Sequence, residues 1–209
     1  VCRGGWGHAP GRTVRGAPAA LGGGARPWHA ASGRPCLFAR EPEGFRITDD
    51  GVMMDGVGFV SGPLRESLIA ARAHAVVLLA ASAGRECEDR AGELWREGKP
   101  DEYFFMEMYG SAVVEHLVTA AGARLCDQAE PDGMSVLPHY SPGYDGWDVA
   151  DQNKLLSLIR TQANGRWGGE LDAFDTGMLR PKKSLLAVFG LTRDREAVRL
   201  QSRLVPCEN

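Results

Sequence analysis

Residues 75–81 read Ala-Val-Val-Leu-Leu-Ala-Ala, seven positions without one polar side chain. A strand with one face in water alternates apolar and polar residues, so this run reads as a central strand covered on both faces. It is partly β-branched, and even the wider stretch His74–Ala83 is far too short to span a bilayer. A chain built around such a strand needs one layer of structure above it and another below. At 209 residues this chain suits one domain and is long enough to bury a substantial core.

The neighbouring segments indicate what those layers are. Phe45–Thr48 and Val52–Asp55 are two short β-like runs around Asp50-Gly51, a hairpin signal, and Val57–Val60 suggests another short strand. Gly62-Pro63 opens a helix, with Pro63 near its first position and Ser61 available as the cap. Arg85–Gly98 places Cys87, Ala91, Leu94 and Trp95 on one face of an amphipathic helix stopped by Gly98 and Pro100. Asp101–Ala121 carries the strongest helical periodicity. Tyr103, Met106, Gly110, Val113, Leu117 and Ala120 recur at spacings of three and four, and Gly110 lets a neighbour approach closely. Glu115 falls off that stripe with Ser111, Ala112 and Thr119, where a solvated carboxylate is the ordinary reading. Lys183–Leu191 reads as a strand, and Arg193–Val198 as a short helix or turn. Strands and helices mix without a regular βαβ rhythm, so the expected class is α+β with a partly antiparallel sheet.

Charge divides the chain. Residues 1–40 hold six arginines, no lysine and no acid, so the overall net charge of −3 leaves the remainder strongly acidic. This segment lacks the apolar periodicity that offsets the entropy of ordering a chain, and residues 1–42 read as a disordered basic Gly/Arg/Pro-rich extension before a domain at 43–209. The overall acidity gives no argument for nucleic acid or an anionic membrane as partner. The five cysteines are scattered without a CxxC pair, as expected of reduced, mostly buried thiols in a cytoplasmic protein. A Cys–His pair such as Cys87 with His116 stays open on spacing alone. Gly56–Gly62 misses the dinucleotide fingerprint by one residue and reads as a turn between short strands. There is no P-loop, HExxH or GxSxG motif, and His139 has no second ligand at metal spacing.

The most specific local pattern is residues 139–159, His-Tyr-Ser-Pro-Gly-Tyr-Asp-Gly-Trp followed by an amphipathic helix. Pro142 fixes its own φ and pushes Ser141 toward extended backbone, while Gly143 permits a tight bend. Two readings stand level here. In one, the turn grips a ligand with its backbone while Tyr140, Tyr144 and Trp147 offer stacking surfaces. In the other it is a rigid helix entry, capped by Asp148 and packing Val149, Leu155, Leu156 and Ile159 inward.

This segment resembles the ligand-binding loop and following helix of the activation domain of cobalamin-dependent methionine synthase, particularly its stand-alone relatives. Asp175–Leu191 resembles that family's acidic/Ser–Met–x–Pro–x–Lys–Ser segment and the strand after it. Ser61–Gly84 and Tyr109–Ala121 resemble, more weakly, the helix–strand unit and the long helix that precede the loop. Together the blocks cover about residues 45–192 in family order. The resemblance implies a single α+β domain with a curved, mainly antiparallel sheet flanked by helices. It implies binding of S-adenosylmethionine in a shallow groove, where the methyl donor meets cobalamin carried by a separate methyltransferase protein. An electron donor such as flavodoxin reduces inactive cob(II)alamin, and the methyl group traps the reduced cobalt. Position by position, the family's loop arginine falls on His139, its small residue on Ser141, and its ligand-facing tyrosine on Tyr144 beside Gly143; the helix glutamate falls on Glu115. His139 removes the arginine's permanent charge. The aspartate that holds the ligand's amino group in full-length synthases has no counterpart, and residues 1–44 do not align. The homocysteine, folate and cobalamin modules have no room in this chain, so the resemblance implies an accessory that works on a partner, or a non-catalytic partner that has lost the methyl donor.

Overall fold

The apolar run becomes the centre of the molecule. In the computed structural model, which describes residues 33–161 and 170–202, Ala75–Ser82 is the strand β5 of a four-stranded sheet. The strands before it are β1 (Cys36–Arg40), β2 (Phe45–Ile47), β3 (Gly51–Met54) and β4 (Val57–Val60). Those after it are β6 (Ser135–Val136), β7 (Asp172–Ala173), β8 (Leu179–Arg180) and β9 (Ser184–Thr192). The main sheet runs β1-β5-β9-β6, and every pair in it is antiparallel. It curls into a half-barrel, giving an α+β domain.

Register explains how β5 is buried on both faces. Val77 pairs with Phe189 and Leu79 with Ala187, and all four enter one core. Val76 pairs with Gly190, Leu78 with Val188 and Ala80 with Leu186, and these face the opposite core. Because side chains alternate along a strand, β5 and β9 together divide the interior into two layers.

The helices are α1 (Gly62–Ala70), α2 (Arg85–Arg96), α3 (Pro100–Ala129), α4 (Asp151–Thr161) and α5 (Arg195–Ser202). α2 and α3 cover the first core, while α1, α4 and the β2-β3-β4 meander cover the second. Ser61 caps α1 as expected, its Oγ accepting from Leu64 N at 3.4 Å. Gly110 is where α3 comes close to its neighbours. A Cβ there would lie 2.8 Å from Cys87 Sγ and 2.9 Å from Lys183 Cγ.

Several expectations need correction. Order begins before Phe45 and before residue 43, because β1 pairs with β5 along its whole length. Within an Arg/Gly/Pro-rich context the short Cys-Leu-Phe-Ala run is a weak signal, and the waiting edge of β5 makes it a strand. The rest of the basic segment, residues 1–32, lies outside the described residues. α3 continues eight residues past Ala121, its late turns anchored by the buried Leu125 and Ala129. Trp95 faces solvent rather than the core, meeting Tyr103 edge-on at 5.2 Å. Among the described cysteines, Cys87 is buried but Cys126 is exposed. Among the described residues no helix is long and apolar enough to cross a membrane.

Candidate functional site

The loop between β6 and α4 begins as a continuation of the sheet. Val136 pairs with Leu191, and Leu137 N donates to Gly190 O at 2.9 Å. Tyr140 then exchanges backbone hydrogen bonds with Val188, 2.9 and 2.8 Å. Regular antiparallel pairing would have put residue 139 opposite Val188, so one extra residue has been accommodated at Pro138-His139. This is a bulge, and proline suits it because it has no N–H to give the ladder. The bulge turns His139 onto the face where Phe189 lies, with ring centroids 5.6 Å apart. Tyr140 instead packs against the second core. Phe189 belongs to the core layer under α3, and the charge of Glu115 on that helix reaches His139.

Four of the five residues singled out in the sequence thereby act on one another. His139 Nε2 and the Tyr144 hydroxyl are 3.2 Å apart, the donor being set by the imidazole tautomer. Burial holds His139 below its ordinary 6.5, and the charge of Glu115 pulls it part of the way back. Burial raises the Tyr144 phenol above 10.0, Glu115 raises it further, and the Ser141 hydroxyl opposes both. Ser141 is 2% exposed, and its Oγ makes no hydrogen bond of ordinary geometry. Gly143 is the fifth residue. Its φ of +95° is a conformation that side-chain-bearing residues rarely adopt, and this positions Tyr144 at the rim.

The loop's own backbone is less available than the ligand-gripping reading expects. Gly143 N donates to Trp147 O, Tyr144 N to Ser141 O and Trp147 N to Tyr144 O, at 2.9 to 3.0 Å. Gln152 Nε2 reaches Pro142 O at 3.4 Å, and the Tyr140 hydroxyl donates to Asp145 O. A turn this tight satisfies its polar groups internally. What it offers outward is the side chains of His139 and Tyr144.

Trp147 corrects the stacking expectation. It is 3% exposed, stacked on Tyr140 at 6.2 Å and edge-on to Phe59 at 6.0 Å, with Nε1 donating to Asp151 Oδ2 at 3.0 Å. A backbone bridge from Trp147 to Ser61 fixes it to the start of α1. The helix-entry reading is also met only in part. Leu155, Leu156 and Ile159 are buried, but Val149 is exposed. Asp148 Oδ1 accepts from Ala150 N at 2.9 Å, which shapes the turn ahead of the first helical residue, Asp151.

Cys87 and His116 do not form a pair. Cys87 Sγ packs against Met106 at 3.9 Å, and burial with nearby Glu107 drives its thiol up to about 11. Such a thiol is a core group rather than a nucleophile. His116 is exposed on α3, and among the described residues no group of three or more His, Cys, Asp or Glu could hold a metal ion. The sequence did not single out Phe189 or the bulge. Pro138 ahead of His139 is the signal that could have pointed to the bulge.

No protein-family model matches this chain, and no curated protein matches it. Among solved structures it is similar to one described as the crystal structure of the MetH reactivation domain bound to AdoHcy. The two are 12% identical with a TM-score of 0.44, and the match covers 78% of this chain and 58% of the other. The chain thus spans less than two thirds of that structure's length. At this identity and score the likeness decides nothing about ligand or chemistry.

Proposed function

We propose that the chain binds S-adenosylmethionine at the Glu115–His139–Tyr144 cluster. There it serves the reductive methylation of cobalamin carried by a separate methyltransferase protein. The observation that carries this reading is convergence. Glu115 on α3 and His139, Ser141 and Tyr144 on a distant loop were matched separately by sequence resemblance, and the fold brings them within electrostatic reach of one another. Glu115 and the rings of Tyr144 and Tyr140, 5.5 Å apart, make surroundings that suit a cation, and the methyl donor carries its positive charge on sulfur. The buried Ser141 Oγ, which acts on the Tyr144 phenol but makes no hydrogen bond of ordinary geometry, adds a hydroxyl beside Tyr144 for a polar group of the ligand. In this reading S-adenosylmethionine supplies the methyl group, the partner's cobalt receives it, and a flavodoxin-like donor supplies the electron. The chain contributes orientation: the bulge and the turn fix His139 and Tyr144, so little order is lost when ligand and partner meet. Residues 43–209 would hold these parts as one domain, with β1 added ahead of it.

A second reading has its own observation. Among the described residues no lysine or arginine figures among the groups acting on His139 and Tyr144, and burial disfavours the charged form of His139. A ligand carboxylate would find no fixed positive charge among these described groups, which favours a non-catalytic partner of a corrinoid protein. Calorimetric titration of the full chain with S-adenosylmethionine, wild type beside Tyr144→Ala, separates the two. The first reading expects saturable heat, with affinity roughly tenfold weaker in the variant. Absence of heat from a folded wild-type protein would leave the second reading.

A further inference from the structure

α3 is apolar on two sides. Toward the sheet it buries Met106, Tyr109, Val113 and Leu117. On its outer surface it exposes Phe104 by 58%, Phe105 by 56% and Met108 by 48%, and Trp95, touching Tyr103, is 63% exposed. Isolated exposed apolar residues are ordinary, but three within five positions of one helix are a patch. With aromatic side chains of about 150–250 Å², half exposure leaves roughly 100 Å² at each of Phe104, Phe105 and Trp95, or on the order of 300 Å² together, to which Met108 adds. Phe104 and Met108 are four residues apart, and the same face continues through Ala112 to Glu115, so the stripe leads to the candidate site.

Along α3 itself as far as Gly122 the charge is one-sided, while the cations nearby, Arg96, Lys99 and Lys182, lie at the Trp95–Tyr103 end. From Pro100 to Gly122, α3 carries Asp101, Glu102, Glu107 and Glu115 but no lysine or arginine. Glu107 pairs with Lys182 and Lys183, while Asp101, Glu102 and Glu115 are exposed. A second copy of the chain is a poor occupant. A two-fold antiparallel crossing centred on Met108 would set Asp101 of each copy opposite Glu115 of the other. Anionic lipid is repelled by the same acids.

We propose that this outer face of α3 docks a partner protein's amphipathic helix, with bulky apolar anchors on Phe104, Phe105 and Met108 and flanking lysines or arginines toward Asp101, Glu102 and Glu115. A cleft of about 450 Å³ opens beside Tyr103, with Trp95, Tyr103 and Gly92 as its apolar wall and Glu88, Asp89, Arg96 and Lys182 around them, so an anchor entering it would lie against Trp95 and Tyr103. The inference does not depend on the methyl donor.

The test uses the full chain and a labelled designed helix with leucines at helical spacing and lysines on its flanks, alongside a twin whose lysines are glutamates. Fluorescence anisotropy should show saturable binding of the basic peptide, at least tenfold tighter than its acidic twin and weakened by added salt. Phe104→Ser/Met108→Ser, both at exposed positions, should weaken it about tenfold with the fold unchanged by circular dichroism. Phe105→Ser serves instead should that double variant fail to fold. Equal binding of the two peptides, no binding of either, or an unaffected folded variant would overturn the proposal. So would self-association in sedimentation velocity that the same variant abolishes, since that hands the face to a second copy.

Discussion

Glu115 and burial pull His139 in opposite directions, and burial is the larger influence. The folded chain therefore resists protonating this imidazole until the pH is below the 6.5 at which an unfolded chain takes up the proton. Across that interval the unfolded state binds more protons. Stability must fall as pH drops through 6.5 and level off once the folded group also titrates. His139→Gln keeps a hydrogen-bonding side chain beside Tyr144 but removes the titration. Urea unfolding between about pH 7.5 and about pH 5.5 should show a steeper acid loss for wild type than for this variant. Glu115→Gln should move the imidazole's NMR titration to still lower pH, because the carboxylate that favours the cation is gone. Parallel acid losses, or a wild-type midpoint above 6.5, would sink this account. None of it was legible in the residue order. A histidine in place of an arginine can be read from the sequence, but its charge state depends on Phe189 beneath it and on a helix distant in the chain.

The β6–α4 loop behaves as an element in its own right, clamped at Tyr140 to β9 and at Trp147 to Ser61. Its turn residues were legible because Pro142 and Gly143 restrict local backbone in ways that need no tertiary partner. The direction of Trp147 was not legible, because an aromatic after a turn can face ligand or core. Here the Ser61 bridge and the Asp151 carboxylate decide for the core. Trp147→Ala should therefore act as a core deletion, costing about 3–5 kcal/mol. Trp147→Phe should keep most of the packing and lose the donor to Asp151, which retains Lys154 at 2.6 Å. Its cost should be about 1 kcal/mol. Chemical denaturation checks both values. A Trp147→Ala loss below about 1 kcal/mol would mean that the indole is dispensable to the core and free for a ligand, as the sequence first allowed.

For the whole molecule, the double-sided burial of residues 75–81 was sufficient to call for two layers, and α2 and α3 on one side were legible from their periodicity. The opposite layer was harder to read, because it combines α1 and α4 with the meander, whose strands are only three or four residues long. β1 was hidden in basic composition and exists through its pairing with β5. This arrangement makes the central strands common to both cores. Leu78 and Leu79 are neighbours in sequence, yet Leu78 faces the α4 side and Leu79 the α3 side. If the layers unfold as one unit, damage on one face must weaken the other equally. Leu78→Ala should cost about 2–5 kcal/mol. Native-state hydrogen exchange should show that loss in the most protected amides of α4 and, by the same amount, in those of α3, although Leu78 belongs to the core on the far side of the sheet from α3. A loss confined to α4 would mean that the two layers open separately. His139 rests on the α3-side residue Phe189, while Tyr140 and Trp147 belong to the α4-side core, so separate opening would pull the candidate site apart before the domain unfolds.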